Sequence, residues 1–99
     1  MLKISIIESH THRRLVLEGK LVTPWAAELK AACEQARSDL HERELIVEAK
    51  NITAISPAGE NVLLALMNDG IKLRAHGVFT KQVLKQLARR VRRNVQEAS

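Results

Sequence analysis

The sequence predicts one α/β domain of order β-β-α-β-α-β-α, with a mixed, mostly parallel four-stranded sheet and helices mainly on one face. Three observations predict it. Stretches with apolar residues at alternate positions are interleaved with stretches at helical spacing. The gap between the first two strands is too short for a crossover, whereas every later gap contains a helix, so strands two, three and four should run parallel. The strands also carry polar residues opposite their apolar ones, which a sheet covered on both faces would not.

Leu2 to Glu8 sets Leu2, Ile4 and Ile6 against Lys3, Ser5 and Ile7, the period of a strand. After the polar break His10-Thr11-His12, Arg14 to Glu18 alternates again, with Leu15 and Leu17 on one face. Thr23-Pro24 reads as an N-cap hydroxyl followed by a first-turn proline. Trp25, Leu29, Ala32, Cys33, Ala36 and Leu40 then recur on one helical face, and the helix should end around Asp39 to Glu42. Leu45 to Ala49 is the third strand, followed by a polar break at Lys50-Asn51 and a second apolar step, Ile52 to Ile55, that stops at Ser56-Pro57, with Asn51 to Gly59 expected as a loop. Ser56-Pro57 repeats the cap-and-proline start for a second helix with the stripe Val62, Leu63, Leu66 and Met67, closed by Gly70.

Ile71 to Ala75 is a fourth strand, with Ile71, Leu73 and Ala75 inward and Lys72, Arg74 and His76 outward. Glu48 and Arg74, on consecutive strands, are placed to pair on the wet face. Thr80 is expected to cap a third helix, with Phe79 and Leu84 at the spacing of a hydrophobic staple. Val83, Leu84, Leu87, Val91 and Val95 line its buried side. The domain is expected over residues 1–95, with 96–99 a frayed tail.

Trp25 and Phe79 are the only aromatic residues, so the core must be aliphatic. A single cysteine, Cys33, excludes an internal disulfide framework and fits a reducing compartment. No apolar run reaches the length of a signal peptide or the ~20 residues of a membrane span, and a soluble, cytoplasmic protein is expected. The net charge is +5. Lys81, Lys85, Arg89, Arg90, Arg92 and Arg93 carry +6, so the rest of the chain sums to −1. Any electrostatic argument about partners therefore starts at the last helix.

No catalytic constellation emerges: the sequence has no glycine-rich phosphate loop and no nucleophile with a base in reach, so no enzymatic activity is expected. Glu18, Glu48 and His76 share an open sheet face rather than a pocket. His10 and His12 read as solvated turn residues. Cys33 lies on a buried stripe, and His41 at the far end of its helix, so no metal site and no cofactor are expected. Ser56 reads first as a helix cap and second as a phosphoacceptor. Gly59 reads equally as a close-packing position and as an opening for a partner's backbone. Lys81, Lys85, Arg89, Arg92 and Arg93 form a basic stripe, read either as a solvated face or as a contact for an acidic protein, a membrane surface or nucleic acid. Nucleic acid is the weakest of these, because neither aromatic lies near the stripe to stack on bases.

The element order, LEGKL at Leu17 to Leu21, and LIVEAKNITAISPAG at Leu45 to Gly59 resemble the STAS family, the sulphate-transporter and anti-sigma-factor-antagonist domains. The resemblance covers most of the chain. The family's regulatory signature is Asp, a phosphorylatable Ser, Ser or Thr, then Gly. Its counterparts here are Ser56, Pro57, Ala58 and Gly59, so only the glycine is retained and the acceptor position has no hydroxyl. The resemblance implies a non-enzymatic regulatory protein-interaction module of bacterial type, without that phosphoswitch. Its interaction loop would be Asn51, Thr53, Ser56, Pro57, Ala58, Gly59 and Glu60. Partners implied are anti-sigma factors, related kinases, or a regulatory or transporter assembly. A homo-oligomer is compatible with this reading. A fixed structural subunit of a transporter complex is the alternative, as is an adaptor binding anions or acidic surfaces through the basic helix.

Overall fold

The computed structural model describes residues 1–98, with side chains described through Val91. Its elements are β1 (Leu2–Glu8), β2 (His12–Leu21), α1 (Trp25–Arg37), β3 (Glu44–Ile55), α2 (Pro57–Asn68), β4 (Lys72–Ala75) and α3 (Val78–Ala98). The expectations for the side chains of Arg92, Arg93 and Val95, and for a tail over 96–99, lie outside the described residues. β1 and β2 pair antiparallel, while β2, β3 and β4 run parallel, in the spatial order β1-β2-β3-β4.

Apolar side chains of one parity meet all three helices. Leu15 and Leu17 from β2 and Leu45, Val47 and Ala49 from β3 form one buried cluster with Leu29, Cys33, Leu63, Leu66 and Leu87. The helices thus pack on one face, as the polar alternation required. The other face is not wholly wet. Val16 and Ile46 are buried there, and Ile46 lies in a shallow depression lined by Ile7, His12, Arg14 and Arg74. Arginine stems cover aliphatic surface while their charged heads stay in water. Glu48 does not pair with Arg74. Its two oxygens are taken by Arg14 of β2 at 3.2 Å and by His76 at 2.8 Å.

Four local expectations need correction. β3 does not break at Lys50-Asn51 but continues to Ile55. Its register with β2 shifts twice, from Leu17↔Ala49 to Glu18↔Asn51 and from Gly19↔Ile52 to Lys20↔Ala54, so Lys50 and Thr53 are extra residues absorbed as irregularities. The start of α1 is not capped by Thr23. Pro24 holds the cap position after a cis Thr23–Pro24 bond, and the Ala26 N–H donates to the Val22 carbonyl at 3.1 Å. Trp25 is half-buried against the core, and Ala26, which the expected stripe omitted, is fully buried beside it.

That helix ends at Arg37, earlier than expected, because the Ser38 hydroxyl and N–H both donate to the Gln35 carbonyl, at 2.7 and 3.2 Å. α3 begins at Val78 rather than after Thr80. Gly77 turns the chain at φ +93°, and its carbonyl accepts from the Lys81 N–H at 3.1 Å. Thr80 is therefore a buried first-turn residue, and Phe79 stands 49% exposed instead of stapling the helix. By contrast Gly70 closes α2 as expected. At φ +79° its N–H reaches the Met67 carbonyl while Ile71 reaches Leu66, both at 3.0 Å, the paired bonds of a Schellman motif.

Candidate interaction surface

The β3–α2 corner is held from below by β2. Leu21 is the register partner of Ile55, and its carbonyl accepts from the Ser56 N–H at 3.0 Å. Ser56 has extended backbone (φ −84°, ψ 168°), and its hydroxyl accepts from the Gly59 N–H at 3.2 Å. The side chain is thus the N-cap of α2, an interaction worth about 1 kcal/mol. Pro57 occupies the first helical position and is exposed. Gly59 is buried: a Cβ there would press into the Leu21 carbonyl oxygen and lie 3.0 Å from Leu21 Cγ and 3.2 Å from Ile55 Cγ2. Of its two readings, close packing is the one the geometry supports.

The remaining loop residues are not all brought together. Asn51 and Thr53 sit on β3, exposed, with Thr53 Oγ1 donating to the Gly19 carbonyl at 3.3 Å. Ala58 and Glu60 are half-buried, and Glu60 accepts from Arg90 of α3 at 3.5 Å. The corner's outward group is therefore Pro57, with Glu60 beside it. Lys81, Lys85 and Arg89 are exposed on α3, whose first turn carries exposed Val78 (81%) and Phe79. Because β3 and β4 are parallel and each feeds a helix, both helix starts lie at the carboxyl end of the sheet.

A second polar cluster was missed by the sequence reading. Arg13 is buried on the helix-facing side of β2. Its Nη1 donates to the Ala36 carbonyl at 2.7 Å and to Asp39 Oδ1 at 2.8 Å, and its Nε donates to Glu8 Oε1 at 2.6 Å. Arg43 adds bonds to the Leu40 and Asp39 carbonyls and to Glu8. Two guanidinium groups thereby satisfy carbonyls around the end of α1, where cations are favoured. The parity was legible: Arg13 shares the period of Leu15 and Leu17.

Hydrogen bonding to Arg13 holds the Glu8 and Asp39 carboxyls below their ordinary range, and the same bonds raise Arg13. For depressed carboxyls, the stability they contribute is present above the unfolded value and is lost as pH falls through the folded one. Stability measured by denaturant should therefore decline below about pH 4. In Arg13→Met that acid limb should be shallower and the protein less stable at neutral pH. An unchanged acid limb in Arg13→Met would remove the cluster as its source. Burial pushes the Cys33 thiol up to about 11, so it behaves as a core residue.

Among the described residues, no three of His, Cys, Asp and Glu gather as a metal site, and no helix is long and apolar enough to cross a membrane. The element order and sheet topology define the class: an α/β domain of the SpoIIAA-like, or STAS, fold. Among solved structures, a DUF3478-family protein from Shewanella loihica PV-4 with a SpoIIAA-like fold superposes with a TM-score of 0.54 and 15% identity, over 80% of this chain and 71% of that one. A structure described as Mglu gives a TM-score of 0.54 and 15% identity over 75% of this chain, which spans only 19% of Mglu. No family model and no curated protein matches. The likeness is therefore one of fold.

Proposed function

We propose that this chain is a non-enzymatic protein-interaction module that uses the carboxyl end of its sheet and carries no phosphoswitch at the β3–α2 corner. One observation carries the reading. The Ser56 hydroxyl is engaged as the cap of α2, and the next position, the acceptor in the STAS resemblance, is the exposed Pro57. The corner is rigidly tied to β2 through Leu21, which suits a surface that is always presented. The partners that fit by resemblance remain an anti-sigma factor, a related kinase, or a regulatory or transporter assembly. A second reading is favoured by a separate observation: Lys81, Lys85 and Arg89 stand exposed with no ion-pair partner among the described residues, a face suited to an acidic surface.

Pro57→Glu tests the first reading without threatening the fold, since an acid in the first turn is favoured by the helix dipole. Affinity-purified wild-type protein should retain a specific partner from source-cell extract, and the folded variant should bind it at least about tenfold more weakly, a difference of roughly 1.4 kcal/mol. Peptide mapping after incubation with extract and ATP should find no phosphate on Ser56. Equal retention by Pro57→Glu, or phosphate at Ser56, would sink the reading. Replacing Lys85, Arg89 and Arg92 by glutamine addresses the second, with loss of retention at unchanged circular dichroism expected.

A further inference from the structure

We propose that β1 is a self-association edge: two copies pair their β1 strands antiparallel about Ser5, joining their sheets into one. β1 is the terminal strand of the sheet, seven residues long and without a register shift or proline. At its start the Met1 carbonyl accepts from the Lys20 N–H at 3.0 Å, and beyond its end the Ser9 N–H donates to the His12 carbonyl at 2.8 Å. Bonded pairs alternate in an antiparallel ladder, so the odd residues bond to β2. The N–H and C=O groups of Leu2, Ile4, Ile6 and Glu8 therefore point to the open edge.

Toward its end this edge is apolar on both faces, with Ile6 59% and Ile7 45% exposed, while Lys3 and Glu8 stand exposed near its two ends. Natural sheets guard free edges with charge, proline, bulges or short length. The opposite edge follows that rule: β4 has four residues and exposes Lys72 and Arg74. β1 is longer, and its charges, Lys3 and Glu8, lie near its ends, so the stretch Ile4 to Ile7 carries none and its own sequence is the complement it needs. A two-fold axis at Ser5 sets Ile4 against Ile6 of the second copy, and Leu2 against Glu8. All four positions face outward, so these become the closely bonded pairs, with about eight backbone hydrogen bonds across the seam.

Even positions stay on the helix face. Ile4 and Ile6 of both copies would then meet beside a groove of about 420 Å³ that Ile6, Ala32, Gln35 and Ala36 line in each. On the other face Lys3 lies opposite Ile7. No like charges are opposed. Centring the pairing on Ile4 or Ile6 instead would leave one end of each strand unpaired.

The test is register-specific. Residues at unbonded antiparallel positions stand about 4.5 Å apart between Cα atoms, within the range for a disulfide. Ser5→Cys should therefore form a covalent dimer under mild oxidation, while buried Cys33 stays silent. Lys3→Cys and Ile7→Cys should each form no covalent dimer alone and form a disulfide-linked heterodimer when mixed. The unmodified protein at roughly 100 µM should show twice the monomer mass by light scattering, and Ile6→Lys should weaken the dimer at least about tenfold with unchanged circular dichroism. A monomer under these conditions, including one that takes up an external peptide strand instead, overturns the proposal. So does Lys3→Cys cross-linking alone as readily as Ser5→Cys.

Discussion

Gly59→Ala is expected to lower the unfolding free energy by about 3 kcal/mol, near the upper end for an overpacked site. The added methyl meets the backbone carbonyl of Leu21, which β2 and the Ser56 N–H both hold in place. It is also hemmed in by Leu21 Cγ and Ile55 Cγ2, so no flexible side-chain tip can swing aside. The start of α2 would have to lift from β2, and the Ser56 cap would be strained with it. Urea denaturation checks this. The control is Gly70→Ala, where a Cβ meets nothing and only the φ of +79° is unfavourable, at about 1–2 kcal/mol. A loss below 1 kcal/mol at Gly59 would mean that α2 is not seated on β2 as described. A long side chain at Gly59 would therefore report unfolding rather than partner binding, and for that reason Pro57 is the proper probe of the corner.

Leu17→Ala should cost about 3–4 kcal/mol, through lost burial and the cavity left behind. Leu17 is 0% exposed in β2, between β1 and β3, and belongs to the cluster shared by the helices and the sheet. Phe79→Ala, although it removes a larger side chain, should move stability by only about ±0.5 kcal/mol, as at exposed sites generally. The pair can be read from the same denaturant curves. If Phe79→Ala proved as damaging as Leu17→Ala, the start of α3 would be packed rather than exposed.

Periodicity was sufficient where one face of an element is buried and the other is not. β1 was legible to the residue, and the stripes of α1 and α2 were legible apart from Ala26, which is buried though not expected, and Leu40, which lies beyond the end of α1, because alternation and helical spacing are imposed by a single core. The cap of α2 and the closure of α2 at Gly70 were legible too, since both are set by interactions within a few residues. What failed was what another segment decides. Lys50-Asn51 looks like a break in isolation, but pairing with β2 carries β3 through it as irregularities. Thr80 looks like a cap, yet packing makes it a buried residue of a helix that already begins at Val78.

At the corner, Ser56 and Pro57 announced their roles through residue type alone, whereas Gly59 stayed ambiguous until the Leu21 carbonyl was seen beneath it. Arg13 was hidden for the same reason: its partners Glu8, Ala36 and Asp39 come from three different parts of the chain. The sequence by itself determined the order of elements, their directions, the single covered face and the absence of a hydroxyl at position 57, because local sterics and hydrophobic periodicity need only neighbours along the chain. Only the tertiary structure decided the length of β3, the buried arginine, the close seat of Gly59 and the place of β1 at the open edge of the sheet. Each of these depends on which backbone groups lie across from one another, and strand register between distant segments is not written in either segment alone.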